Sequence, residues 1–296
     1  METVSLVQDQ WRLELMPEIG GSISLCTYHG QDIMRRASLK NGAAVEARDM
    51  ACFPLVPFSN RIEHGIFTFE GSRIELPRNM DDHPHPLHGQ GWRGAWEVEA
   101  QEEDRAVLLY RHEPDSWPWR YESRQDFSFT PDSLVVRLSV TNLAARPMPA
   151  GLGLHPYFPK GDGATLTAKF AYLWASTAQQ IPIRLIDLPR ELDFSRGLKI
   201  ADLDLDHCFA EWGKSAVIEW PGQPYRVNMQ GDNNLDFLVV YTPPKENFFC
   251  VEGVENMNNA FNWMSSSVNT GVKILAPGES HSVTTIFQVE PVRGMS

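Results

Sequence analysis

The chain has 296 residues, 42% of them hydrophobic and 22% charged, and its formal net charge is −12 at pH 7. These ordinary globular proportions argue against disorder as the main state of the chain. A strongly acidic surface repels phosphate backbones, so nucleic acid is not an expected partner, whereas a neutral small molecule is indifferent to this charge.

The predicted secondary structure is β-strand along most of the chain. Apolar and polar residues alternate with the period of a half-buried strand in residues 23–27, 65–76, 134–140, 166–170 and 283–289. Within the second of these runs, Glu70 and Gly71 predict a tight turn between two strands. Helical segments are predicted only over residues 189–194 and 254–263, each a turn or two long.

This pattern favours an all-β fold, a large sandwich of antiparallel sheets formed by residues 1–296 as a single domain. Twenty-one glycines and twenty-one prolines interrupt the strand-like runs at short intervals, and no repeat or flexible linker divides the chain. A sandwich of this size can carry a cleft across a concave sheet face, where side chains from alternate strand positions converge. We therefore expect the functional residues on such a face.

The cysteine pattern indicates a reducing compartment. Cys26, Cys52, Cys208 and Cys250 lie far apart and beside apolar residues, which favours buried free thiols over a disulfide framework or a structural zinc site. No run approaches about 18 apolar residues, and no signal peptide is recognisable at the start of the chain. We expect a cytoplasmic protein that does not contact membranes.

Two candidates for acid–base chemistry interrupt apolar segments. Glu252 follows an apolar run, and a carboxylate buried there would have a raised pKa and could serve as a general base. The alternative is a solvated glutamate just past a strand end. His155 lies between Leu154 and Pro156 and could transfer a proton near neutral pH. The alternative is a core histidine that bonds to a backbone carbonyl.

Two further segments contain Arg61 and a group of histidines. The guanidinium of Arg61 could donate parallel hydrogen bonds to adjacent hydroxyls or to a carboxylate, or it could form a salt bridge that holds a loop. His83, His85 and His88 fall within six residues, but their spacing is not a specific metal signature. We expect no metal site, and favour a loop whose last histidine enters a cleft.

Taken together and in order, these segments resemble the aldose 1-epimerase family. The matching residues are Pro57-Phe58-Ser59-Asn60-Arg61-Ile62, Leu87-His88-Gly89, His155-Pro156-Tyr157-Phe158, Asp206-His207-Cys208-Phe209 and Cys250-Val251-Glu252. The match runs from about Phe53 to the C-terminus. The resemblance implies the galactose mutarotase-like supersandwich, with a sugar-binding cleft on a concave face, and an enzyme that interconverts the α and β anomers of a free aldose.

Roles can be carried over at the matching positions. The resemblance implies that Glu252 is the general base that takes the proton from the anomeric hydroxyl. It implies that His155 is the general acid that protonates the ring oxygen. The remaining implied roles are contacts with the sugar, made by Asn60, Arg61, His88 and Asp206. No cofactor is implied, the partner is a small sugar, and a monomer or homodimer is expected.

The sequence departs from the family pattern after the glutamate. Where the family's epimerases often have Thr-Gln, this chain has Gly253 and Val254, which bears on the identity of the sugar. The position matched by Asp206 is also open to Asp202 and Asp204, which precede it at the same spacing.

Three other functions are weighed against the mutarotase. A non-catalytic sugar-binding protein would need neither the acid nor the base. A hexose-6-phosphate mutarotase needs extra cations, for which Arg61, Arg78 and Arg93 are candidates, but the acidic net charge disfavours a dianion. A polysaccharide hydrolase or lyase needs a second carboxylate beside Glu252, and Glu255 is the nearest candidate.

Overall fold

The computed structural model describes residues 2–38 and 45–292. The first twelve strands are β1 (Val4–Gln8), β2 (Trp11–Met16), β3 (Ser22–Tyr28), β4 (Gln31–Asp32), β5 (Cys52–Leu55), β6 (Ile66–Phe69), β7 (Ser72–Glu75), β8 (Glu97–Gln101), β9 (Arg105–His112), β10 (Tyr121–Thr130), β11 (Ser133–Asn142) and β12 (Met148–Ala150). The remaining strands are β13 (Gly153–Pro159), β14 (Thr165–Ala168), β15 (Tyr172–Ser176), β16 (Pro182–Asp187), β17 (Leu198–Lys199), β18 (Asp206–Ala210), β19 (Ser215–Glu219), β20 (Tyr225–Gly231), β21 (Phe237–Tyr241), β22 (Phe248–Val254), β23 (Lys273–Leu275) and β24 (Ser280–Pro291). Short 3₁₀ helices are Ala47–Asp49, Glu63–Gly65, Arg190–Leu192, Phe194–Arg196, Ile200–Asp202 and Ala260–Trp263.

Two large sheets dominate the architecture. The larger has the strand order β1-β2-β3-β5-β13-β22-β21-β18-β15-β16, with β4 paired to β3, and the smaller has the order β17-β14-β19-β20-β24-β11-β10-β9-β8. Two-stranded sheets are formed by β12 with β23 and by β6 with β7. The central pairings are antiparallel, and the predicted all-β sandwich is confirmed.

The predicted alternation produces the main core. On β11, Leu134, Val136, Leu138 and Val140 are buried in one hydrophobic cluster, and Phe287 of β24 packs in the same cluster. Each such side chain contributes about 1.5–3 kcal/mol relative to an exposed one. The hydrophobic period of the sequence therefore determines which face of each strand points into the main core.

The local predictions have mixed outcomes. The β6–β7 hairpin turns at Glu70 and Gly71, both with positive φ, as a two-residue hairpin with right-handed strand twist requires. Of the predicted helices, residues 189–194 contain a 3₁₀ turn, but the prediction for residues 254–263 is wrong except at its end. There the backbone N–H groups of Glu255, Met257 and Asn259 donate to other segments, which leaves them unavailable to a helix.

The remaining sequence expectations concern the cysteines and membrane contact. All four cysteines are free and buried, as predicted. Over residues 2–38 and 45–292, no helix is long and apolar enough to cross a membrane.

Strand β22, in the middle of the larger sheet, is buried on both faces, and this positions the site. On β22, Phe249 and Val251 point into the main core. The alternate residues Cys250 and Val254 belong to a second hydrophobic cluster on the other face. Since side chains alternate along a strand, Glu252 lies on that second face with them.

Candidate active site

A cavity of about 930 Å³ opens on the second face of the larger sheet. Its lining includes all six residues singled out from the sequence, which are Asn60, Arg61, His88, His155, Asp206 and Glu252. Strands β13, β18 and β22 supply His155, Asp206 and Glu252. The other three come from loops that follow β5 and β7. The structure thus brings five separate segments of the chain to one place.

His155 and Glu252 face each other on adjacent strands. The antiparallel register pairs Gly153 with Val254 and Tyr157 with Cys250, so positions 155 and 252 are opposite each other. His155 Nε2 lies 3.3 Å from Glu252 Oε1. Glu252 is 3% exposed, so the alternative of a solvated carboxylate past the strand end is wrong.

The imidazole of His155 is held between two aromatic rings. Its centroid lies 4.5 Å from that of Phe53 and 4.7 Å from that of Tyr157, both in stacked orientation. Burial lowers the pKa of His155 to about 3, and the charges of Arg35 and Arg61 contribute. His155 Nδ1 has no hydrogen-bond partner in the described residues.

The pKa of the Glu252 carboxyl is shifted in the opposite direction, upward. Burial raises its pKa well above the ordinary value for glutamate, the charge of Asp206 raises it further, and Arg61 opposes both. Glu252 Oε2 is buried and has no hydrogen-bond partner among the described residues. A buried carboxyl oxygen without a partner is costly, so a hydrogen-bond donor brought to this position would stabilise it.

Arg61 donates hydrogen bonds to three polar side chains at the cavity. Its Nη2 donates to Asp206 Oδ2 at 2.8 Å, its Nε donates to His83 Nε2 at 3.1 Å, and its Nη1 donates to Asn60 Oδ1 at 3.4 Å. Asp202 and Asp204 are exposed, and neither lines the cavity. Of the three aspartates that the sequence left open, Asp206 is therefore the one beside Arg61.

His88 is fixed as a hydrogen-bond donor toward the cavity. Its Nδ1 accepts from the backbone N–H of Asn60 at 3.1 Å, while its own backbone N–H donates to the carbonyl of Asn60 at 3.0 Å. Burial lowers the pKa of His88 well below the usual value, helped by the nearby His155. A neutral imidazole that accepts at Nδ1 carries its hydrogen on Nε2.

The histidine-rich loop uses its rings as acceptors for separate donors. His83 accepts from Arg61, and His85 Nδ1 accepts from the backbone N–H of His64 at 3.0 Å. The rings of His83, His85 and His88 therefore each accept a hydrogen bond from a different N–H group. Among the described residues, His155, Cys250 and Glu252 each have a ligand atom within 4.8 Å of the other two, close enough for the three to hold one metal ion.

The sequence reasoning missed Asn256, which joins the loop of Asn60 to strand β22. Asn256 Oδ1 accepts from the backbone N–H of Ser59 at 3.1 Å and from its hydroxyl at 2.9 Å. Asn256 Nδ2 donates to the carbonyl of Ser59 at 3.0 Å. Both residues are buried. No sequence signal identifies this contact, because the two residues are far apart in the chain.

Replacing Asn256 by alanine is expected to raise KM for the sugar that the family resemblance implies more than it lowers kcat. The loop with Asn60 and Arg61 loses its anchor, whereas the His155–Glu252 pair does not. Stability should fall by about 1–3 kcal/mol, because Ser59 is left with unpaired buried groups. Steady-state kinetics and urea unfolding measure the two effects.

Asn142→Ala is the matched control for that variant. Asn142 is equally buried and donates to the carbonyls of Arg146 and Leu275, but it does not line the cavity. It should lose stability without a change in KM. Equal KM values for both variants would contradict a positioning role for Asn256.

Aromatic residues and a further arginine complete the cavity wall. Phe53, Trp92, Tyr157 and Tyr241 line it, as does Arg35, whose guanidinium lies 3.6 Å above the ring of Tyr157. Tyr157 could have been found from its position two residues after His155, on the same strand face. Arg35 carries no such signal, because it reaches the cavity from a distant loop.

A buried imidazole–carboxyl pair beside a cavity of a large β-sandwich is an arrangement suited to acid–base chemistry on a small polar ligand. The family model described as aldose 1-epimerase matches residues 4–288. The chain belongs to the aldose 1-epimerase family.

The chain is also similar to individual relatives and solved structures. The uncharacterized protein YphB of Escherichia coli K12 is 33% identical over 263 residues, which cover 86% of this chain and 88% of the relative. A solved structure of a candidate aldose 1-epimerase from Escherichia coli K12 is similar, with a TM-score of 0.89 and 29% identity over 98% of this chain and 99% of that one. A galactose mutarotase-like protein from Clostridium acetobutylicum shares the fold, with a TM-score of 0.85 and 18% identity over 97% and 95% of the two chains.

Proposed function

We propose that this protein is a mutarotase that interconverts the α and β anomers of a free aldose. The observation that carries the proposal is the buried pair of Glu252 and His155, whose Oε1 and Nε2 atoms are 3.3 Å apart at the cavity. Three buried polar atoms on the lining residues lack partners, namely Asn60 Nδ2, His155 Nδ1 and Glu252 Oε2. Buried polar atoms are nearly always satisfied, and the hydroxyls of a sugar supply both donors and acceptors.

The proposed reaction moves two protons. The carboxylate of Glu252 takes the proton from the anomeric hydroxyl while His155 gives a proton to the ring oxygen. The C1–O5 bond breaks, and the open-chain aldehyde forms. After rotation about the C1–C2 bond, closure on the other face returns both protons with the roles reversed. Each positioned group contributes on the order of 10²–10⁴-fold.

The protonation of the pair is compatible with this cycle. With the pKa of His155 lowered to about 3 and that of Glu252 raised, the empty site holds one proton over a wide pH range. The proton lies on Glu252 in the empty site. The reactive form has the same proton on His155, across a gap of 3.3 Å. A sugar hydroxyl that donates to Glu252 and a ring oxygen that accepts from His155 stabilise this second arrangement.

The other lining residues are proposed to hold the sugar. His88 donates from Nε2 to the region of the ring oxygen. Arg61 and Asp206 form a fixed pair that binds adjacent hydroxyls through a donor and an acceptor. Asn60 offers its unpartnered Nδ2 as a further donor. Holding the ring between such contacts supplies the positional part of the rate enhancement.

The pH dependence of kcat/KM tests the shared proton. We expect the rate to fall as pH rises through the raised pKa of Glu252, because the pair then loses its only proton. Asp206→Asn should move this alkaline midpoint to lower pH, since the charge of Asp206 is one cause of the raised pKa. Stopped-flow polarimetry across a pH series measures both effects. A rate that instead increases through this pKa would mean that the pair must be fully deprotonated to act.

The geometry disfavours two of the alternatives. Arg78 and Arg93 do not line the cavity that holds Arg61. Among the described residues, its charged lining is Glu46, Asp49, Asp82, Asp206, Glu246 and Glu252 against Arg35, Arg48 and Arg61. This excess of carboxylates opposes a phosphate dianion. Glu255, the second carboxylate that a hydrolase would require, is absent from the lining and bonds to His281 instead.

Anomer exchange by NMR on freshly dissolved α-glucose and α-galactose tests the proposed function directly. Exchange faster than in buffer supports a mutarotase. Saturable sugar binding without faster exchange, over a wider panel of free sugars, would instead indicate a carbohydrate-binding protein on the same fold.

A further inference from the structure

The strand that carries Glu252 also brings a thiol to the catalytic pair. Cys250 lies opposite Tyr157 in the antiparallel register, two pairs away from His155 and Glu252, and therefore on the same sheet face. One ligand atom of each of His155, Cys250 and Glu252 lies within 4.8 Å of the other two. From this geometry we propose that these three side chains form a binding site for a zinc-like divalent ion.

The separations fit a small tetrahedral ion. Zinc binds nitrogen and oxygen at about 2.0–2.1 Å, which places two such ligand atoms roughly 3.4 Å apart. His155 Nε2 and Glu252 Oε1 are already 3.3 Å apart. The sulfur of Cys250 lies within 4.8 Å of one ligand atom of each of the other two residues and would complete the set by moving toward them. Imidazole, thiolate and carboxylate are the ligand types that zinc takes, with water in the fourth position.

A second observation points to a ligand at this place. Glu252 is only 3% exposed, and its Oε2 has no hydrogen-bond partner among the described residues. His155 is nine-tenths buried and has an unpartnered Nδ1. An ion that Glu252 binds through both carboxylate oxygens would supply the missing partner of Oε2. His155 and Glu252 line the cavity, which gives an ion access to these two ligands, and Cys250 is buried on the same sheet face.

Charge balance favours binding in a buried position. Zinc with one thiolate, one carboxylate and a neutral imidazole forms a neutral group, which is less costly to bury than a free ion. Binding releases the thiol proton and the proton of the His155–Glu252 pair to solvent. The ion would bind both His155 and Glu252, the two groups of the proposed reaction, so zinc competes with the sugar. This competition rests on the proposed function, whereas binding of the ion itself does not depend on it.

Cobalt(II) titration of the wild-type protein is the direct test. A thiolate–cobalt charge-transfer band in the near ultraviolet is expected in the wild type and absent in Cys250→Ala. Cys208→Ala is the matched control, because Cys208 is a buried cysteine on the same face that does not belong to the three-residue group. This control should keep the band.

Zinc affinity and anomer exchange give independent readouts. Loss of a ligand should weaken zinc binding, measured by calorimetry, at least about 100-fold in Cys250→Ala, since loss of a second-shell partner alone costs 10–100-fold. Zinc should inhibit exchange by the wild type and by Cys208→Ala, and chelator should restore it. Absence of the band, or equal zinc affinity in wild type and Cys250→Ala, would overturn the proposal. If exchange activity is absent altogether, the cobalt band still decides the ion site.

Discussion

Replacing Glu252 by glutamine is expected to lower kcat for anomer exchange by about 10³-fold while the protein remains folded. The amide has nearly the same shape but cannot accept the proton of the anomeric hydroxyl. NMR exchange measurements on α-glucose and α-galactose give the rate. Wild-type turnover in Glu252→Gln would remove Glu252 from the mechanism.

The same substitution should raise the melting temperature. Because burial raises the folded-state pKa of Glu252, its contribution to stability is present at low pH and is lost as pH rises through that folded pKa. A neutral amide avoids this loss, and functional sites commonly trade stability for activity in this way. Thermal unfolding at neutral and acidic pH should show the gain mainly at the higher pH.

Glu255→Gln is the matched control for Glu252→Gln. Glu255 is fully buried, but its Oε1 lies 2.6 Å from His281 Nε2 and its Oε2 accepts from the backbone N–H of Leu152. Its loss should reduce the free energy of unfolding by about 1–3 kcal/mol and leave kcat within a few-fold. The two glutamates, three positions apart, should therefore show opposite effects on rate and stability. A large loss of rate in Glu255→Gln would mean that this buried network also supports catalysis.

Replacing His155 by asparagine is expected to lower kcat by about 10²–10³-fold, because the ring oxygen loses its proton donor. The double variant with Glu252→Gln should be scarcely slower than Glu252→Gln alone. Groups that act as one unit show such non-additive losses. Fully additive losses would contradict a pair that shares one proton.

A control separates this effect from the loss of any buried histidine. His112 is also buried, and its Nε2 lies 3.1 Å from the carbonyl oxygen of Trp117, outside the cavity lining. His112→Asn should lower stability and preserve the exchange rate. A comparable rate loss in both variants would indicate general unfolding as the cause.

The sequence by itself determined the fold class and the segments that form the site. Alternation of apolar and polar residues is a local property, and the β11 and β24 runs show it without help from distant contacts. The buried thiols were likewise predictable from their apolar neighbours. The order of short motifs, read as a family resemblance, located the six cavity residues, and their roles remain predictions.

The tertiary structure decided how those residues meet. It placed Asp206 rather than Asp202 or Asp204 beside Arg61, and it enclosed Glu252 where a solvated strand end was equally compatible with the sequence. It revealed Asn256 as the anchor of the loop that carries Asn60. It also replaced the predicted helix over residues 254–263 with loop contacts. Burial, strand register and hydrogen bonds between distant segments depend on how the whole chain packs, so they cannot be predicted from a local sequence pattern.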